Sequence, residues 1–158
     1  KTVQHFWYNV DFTRGGGELA KVKEDKAPEP KVVVQGNQTI VDIAAIPHQL
    51  KYNLNNFSVK AGSKVKVTFL NPDVIPHNLL IVEPGSRAEI GNQAIAMGAD
   101  AVKKAPKNSK ILHGTKMLEA GQKETLEFTA PSKPGDYEFI CTFPGHWAVM
   151  NGIMKVTP

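Results

Sequence analysis

Cysteine is almost missing from this chain: Cys141 is the only one in 158 residues. One thiol excludes an internal disulfide and any paired-cysteine redox or zinc motif, so disulfide counting says nothing about compartment. Long hydrophobic runs are missing as well. The sequence contains no apolar stretch of about 18 residues, the length that marks a membrane-spanning helix. Aromatics make up only 8% of the chain. Lysines 51, 60, 64, 66, 110, 123 and 155 are scattered and alternate with apolar residues, as on the solvent face of strands. A nucleic-acid surface gathers its basic residues into a patch, so the net charge of +4 points to no nucleic-acid partner. The chain also lacks an initial methionine and a leader pattern, which predicts a processed or excised form.

What remains is the profile of one domain of ordinary size, with 41% hydrophobic and 22% charged residues. Strand signals recur at short intervals, over 32–34, 39–44, 49–54, 65–70, 78–82, 124–128, 137–141 and 152–156. Turn chemistry separates many of them, as at Gly36-Asn37, Ala61-Gly62, Asn71-Pro72 and Pro134-Gly135. Eight short strands at this spacing predict an all-β sandwich with Greek-key connections. Residues 86–105 are alanine-rich without β-branched alternation and predict a short helical insertion, preceded by Pro84-Gly85 and ended by Pro106.

The chemistry concentrates near the C-terminus. Cys141, His146 and Met150 place a thiolate, an imidazole and a thioether within ten residues. In the strand predicted just before them, Tyr137, Phe139 and Cys141 share one face, which aims Cys141 at the core. Pro144-Gly145 turns the chain and lets His146 fold back toward the same point. Met150 opens the next strand and approaches along the axis. A second histidine, His77, follows the strand signal at 65–70. Two histidines, a cysteine and a weak axial methionine form the coordination pattern of a blue-copper electron-transfer site. The competing interpretation, a buried cysteine and a core methionine flanking an ordinary hairpin, does not account for His77. His5, His48 and His113 lie in dissimilar contexts and predict no second copper site, with His113 expected at the surface. Met97, Met117 and Met154 do not form the methionine-rich run of a copper carrier.

The segment Cys141-Thr-Phe-Pro-Gly-His146 followed by Met150 resembles the ligand loop of the azurins, within the cupredoxins. The stretches beginning at Gln35, Asn53, Ser109 and Ala120 are similar to successive azurin segments, so the likeness covers roughly residues 32–158. It implies a cupredoxin-like sandwich and one type-1 copper, with His77, Cys141 and His146 equatorial and Met150 axial. Asn78 would tie the two ligand loops together, and Phe143 would shield the thiolate. The chain departs from azurins at Pro76, where they carry a glycine whose carbonyl faces the metal. A more tetrahedral site without a firm fifth contact is therefore expected. Trp147 replaces a small residue beside His146, the implied electron port, and is expected either to meet partners or to cover the copper. Bacterial composite proteins with an azurin-like domain share the Pro-Gly-His-Trp continuation.

The resemblance implies electron transfer between redox proteins such as c-type cytochromes or a copper/haem oxidoreductase, in the periplasm or outside the cell, including at a membrane surface. On this reading the chain is not an enzyme. The alternatives are a type-1 copper domain taken from a larger oxidoreductase and, less favoured, a copper carrier. Residues 1–30 read differently from the rest: an aromatic segment at 5–12, glycines at 15–17 and a charged stretch ending in Ala-Pro-Glu-Pro. They form an N-terminal arm or linker, packed on its own domain or trailing from a preceding one, with the azurin-like domain at 31–158. No oligomeric state follows from the sequence.

Overall fold

Period-two alternation builds the strands. In Lys64–Leu70, Val65, Val67 and Phe69 are buried while Lys64, Lys66 and Thr68 face outward. Each such buried side chain contributes about 1.5–3 kcal/mol relative to exposure. The computed structural model describes residues 26–158. The expectations for the aromatic segment at 5–12 and the glycines at 15–17 lie outside the described residues. Of the charged stretch, residues 26–30 are described, and there the Pro28 carbonyl accepts a hydrogen bond from Asn53 Nδ2 at 2.6 Å.

Nine strands form two sheets: β1 Lys31–Gln35, β2 Gln38–Ala44, β3 Asn56–Lys60, β4 Lys64–Leu70, β5 Leu80–Val82, β6 Ile111–Gly114, β7 Lys123–Thr129, β8 Gly135–Ile140 and β9 Asn151–Thr157. One sheet has the order β1-β2-β4-β7, the other β3-β9-β8-β5-β6. Strands β2 and β4 pair in parallel, as do β3 and β9. A parallel pair cannot be closed by a tight hairpin. The chain therefore leaves β2, lays β3 into the opposite sheet and returns to β4. This back-and-forth gives the sandwich its core, where the Tyr52 ring meets Phe69 at 5.6 Å and Phe139 at 5.2 Å, both edge-on.

The observed elements differ from expectation in four places. Residues 49–54 form no strand; only Tyr52 bridges Ala45. His48 has φ 60, which breaks an extended run, and the Asn53 side chain takes the Ala44 N–H at 2.9 Å. The strand lies instead at Asn56–Lys60, with Phe57 and Val59 turned inward. Strand β6 was not anticipated, because Ile111, Leu112 and His113 are all half-buried and show no alternation. Strand β5 begins at Leu80 rather than residue 78 because His77 and Asn78 are engaged elsewhere. The helical insertion is split into α1 Arg87–Ala96 and a 3-10 turn over Gly98–Val102.

Candidate metal centre

His77, Cys141 and His146 meet at one end of the five-stranded sheet, in the segments that lead into β5 and join β8 to β9. Their ligand atoms lie within 4.8 Å of one another and all three residues are buried. Cys141 Sγ is 3.7 Å from His77 Nδ1 and 3.7 Å from His146 Nδ1. Bonds of about 2.0–2.1 Å to nitrogen and about 2.3 Å to sulfur separate those atoms by about 3.6 Å at a tetrahedral angle and about 3.8 Å at a trigonal one. The observed triangle is thus the right size for one ion held by three protein atoms. Thiolate plus two imidazoles is the donor set that suits copper.

Each ligand is placed by a distinct local device. Cys141 continues the alternation of β8, behind Tyr137 and Phe139, and is fully buried. After it the chain turns on Gly145, whose φ of 83 falls in the left-handed region open to glycine. His146 then starts a single 3-10 turn, His146–Ala148. Its N–H bonds to the Phe143 carbonyl at 2.9 Å, and its own carbonyl accepts from Met150 N at 2.7 Å. Met150 returns to the start of β9, fully buried, and its carbonyl accepts from Cys141 N at 3.2 Å. The Phe143 ring, half-buried, lies 4.5 Å from the His146 ring.

His77 comes from the other side of the centre, following the half-buried Pro76. Its backbone exchanges two hydrogen bonds with Leu118, at 3.1 and 2.8 Å. Next to it, Asn78 joins the two ligand segments: its Nδ2 donates to Thr142 Oγ1 at 2.8 Å, and its Oδ1 accepts from Thr142 N at 2.7 Å. The Asn78 carbonyl in turn accepts from Tyr52 Oη at 2.6 Å.

The electrostatics favour the uncharged forms of Cys141 and His146. Burial pushes the Cys141 thiol up to about 11, against hydrogen bonds from the Asn78 and Phe143 backbone amides. Burial, helped by the neighbouring His77 and opposed by Asp73, pulls His146 down to about 4. A metal ion reverses this preference for the uncharged thiol, since a coordinated thiol is deprotonated outright.

Asp73 was not anticipated as part of the centre. Its carboxylate, 1% exposed, lies 2.8 Å from His77 Nε2. Burial pushes its pKa up, but the bond from His77 and those from the His48 and Val74 amides outweigh this, and the net shift is downward. The only sequence signal was its place directly after the Asn71-Pro72 turn. Trp147 is half-buried against α1, where a Cβ at Gly91 would fall inside its indole ring. Only glycine permits that approach. His48 is exposed. His113 is not the solvent-exposed side chain expected: it is half-buried and stacks on Phe128 at 4.2 Å, and burial lowers its pKa.

Residues 39–157 match the family described as copper binding proteins, plastocyanin/azurin family. The chain belongs to that family. Auracyanin-B of Chloroflexus aurantiacus is 36% identical over 123 residues, which cover 75% of this chain and 52% of the relative. This chain therefore spans about half the length of that protein. Azurin of Pseudomonas aeruginosa is 29% identical over 138 residues, covering 82% of this chain and 86% of the azurin. Among solved structures, reduced auracyanin from Roseiflexus castenholzii superposes with a TM-score of 0.68 at 37% identity, over 78% of this chain and 98% of that one. As a plastocyanin/azurin relative, the sandwich is a cupredoxin fold, and its His-Cys-His cluster corresponds to a single type-1 copper site.

Proposed function

We propose that this chain is a blue copper electron-transfer protein that passes single electrons between redox partners. One observation carries the reading: two imidazole nitrogens converge at 3.7 Å on the only thiol, in a buried pocket already shaped for one ion. Copper bound there supplies a Cu(I)/Cu(II) couple. His77, Cys141 and His146 would hold it, with Met150 as a weaker fourth ligand.

The protein's part is to keep these groups still. Ligands preset by β8, the His146–Ala148 turn and the Leu118 bridge need little rearrangement when the charge at the centre changes, which lowers the barrier to transfer. The two backbone amides on the Cys141 sulfur and the dry surroundings set the potential. His146 is 6% exposed, whereas His77, Cys141 and Met150 are fully enclosed. Electrons therefore pass through the His146 edge, where Trp147 and the exposed Val149 form the rim that partners meet. A small apolar rim suits an encounter that must separate quickly.

No substrate turnover is assigned to the chain. The copper domain runs over 31–158, with 1–30 as an arm or linker. Partners are c-type cytochromes or a copper/haem oxidoreductase, and the site of action is the periplasm or the cell exterior, where such copper centres are loaded. Among the described residues no helix is long and apolar enough to cross a membrane.

The visible spectrum tests the reading. Oxidised protein carries one copper per chain and an intense thiolate-to-copper band in the red, and Cys141→Ser abolishes it. A colourless stoichiometric Cu(II) complex, or zinc alone in copper-supplied cells, would sink the proposal.

A further inference from the structure

The buried carboxylate of Asp73 faces the ring nitrogen of His77 that points away from the cluster. His77 Nε2 lies 2.8 Å from Asp73 Oδ2, and both side chains are essentially inaccessible to solvent. The other oxygen, Oδ1, accepts from Val74 N at 2.8 Å and His48 N at 3.3 Å. Asp73 N donates to Asn71 Oδ1 at 3.0 Å, and Asn71 Nδ2 donates to the Ile75 and Leu118 carbonyls at 2.9 and 2.8 Å. Leu118 is also the backbone partner of His77. The carboxylate is thus held by a closed network that ends on the residue it addresses.

A carboxylate is an acceptor only. Facing Nε2, it requires the proton to sit there, which leaves the Nδ1 lone pair free toward Cys141. A backbone carbonyl would select the same tautomer. A carboxylate adds a full negative charge, which makes the imidazole a stronger donor and favours the more highly charged state of a bound ion.

We propose that Asp73 is a positioning residue: it locks His77 in the Nε2–H tautomer that presents Nδ1 to copper, and its charge biases the centre toward Cu(II). The proposal rests on the copper reading above, but its first test does not. Ring-nitrogen NMR of the wild-type metal-free protein should show His77 protonated at Nε2 only; an Nδ1–H tautomer overturns the lock whether or not copper binds. The second test is Asp73→Asn, with Asp73→Ala beside it. An outer partner of this kind is worth about 10–100-fold in metal affinity. The loss should fall mainly on Cu(II), with the red band retained. A ten-fold selective loss raises the one-electron potential by about 59 mV. An unchanged or lowered potential in a variant that stays folded and blue overturns the electrostatic role. If both variants fail to fold, a wild-type Cu(I) protein whose His77 lacks the Nε2–H signal overturns the proposal, and its presence supports it.

Discussion

His77 and His146 present the same atom, Nδ1, at the same 3.7 Å from the same sulfur, yet they are held by different means. His77 is held from several sides: the nearby Asp73 on its ring, the distant Leu118 on its backbone, and the adjacent Asn78 reaching Thr142 across 64 residues. His146 is held by one turn of its own backbone, between Phe143 and Met150, with the Phe143 ring alongside. The difference shows how such a centre divides its work. One ligand is set deep by the tertiary fold, and the other is set at the rim by a short loop that leaves an edge available.

The largest effect expected from this contrast comes from deleting the rings in turn. His146→Gly leaves a gap that opens to solvent, so added imidazole should enter and restore the red band. His77→Gly leaves a gap sealed on all sides, and imidazole should restore little or nothing. Titrating imidazole into both copper-loaded variants measures this. Equal rescue would mean that burial does not separate the two ligands.

Next in size is the tie between the segments. Asn78→Ala removes both bonds to Thr142 and strands a buried N–H. The expected loss is about 2–4 kcal/mol, or a fall in Tm of roughly 5–15 °C for a domain of this size. Thermal unfolding of the metal-free variant reads it. A loss under about 1 kcal/mol would show that the two segments stand independently.

The smallest effect concerns pH. In the folded metal-free protein His146 titrates at about 4, against an ordinary value of 6.5. The folded state resists protonation there, so the unfolded state binds more protons between those values. Stability should be complete above about pH 6.5 and decline as pH falls toward 4. Denaturant midpoints measured across that window should drop less in His146→Gln than in wild type. Parallel curves would place the titrating group elsewhere.

All four members of the centre were named from the sequence, and Cys141, His146 and Met150 could be placed together because they sit within ten residues of chain. Alternation aims Cys141 inward, Pro144-Gly145 reverses direction, and Met150 follows at the start of a strand. These are local rules, and period and turn chemistry encode them directly. The strand alternations at β2, β4, β8 and β9 were legible for the same reason. Strand β6 was not, since its three half-buried residues carry no period, and neither was β3, whose two inward residues follow a run of asparagines.

Other features were settled only by tertiary structure. Nothing near His77 in the sequence shows that it meets a sulfur 64 residues away. The antiparallel register of β5 against β8, with Leu80 opposite Ile140, decides that meeting. Asp73 carried no signal beyond following the Asn71-Pro72 turn until the loop closed and set its carboxylate on His77. Trp147 left two roles open, meeting partners or covering the copper, until α1 brought Gly91 against its ring. Sequence by itself determined which donors the chain offers and how each strand and turn directs them, because those depend on neighbours a few residues apart. Which donors face one another, and which buried charge stands behind them, depended on distant segments packing together, and only the folded chain decides that.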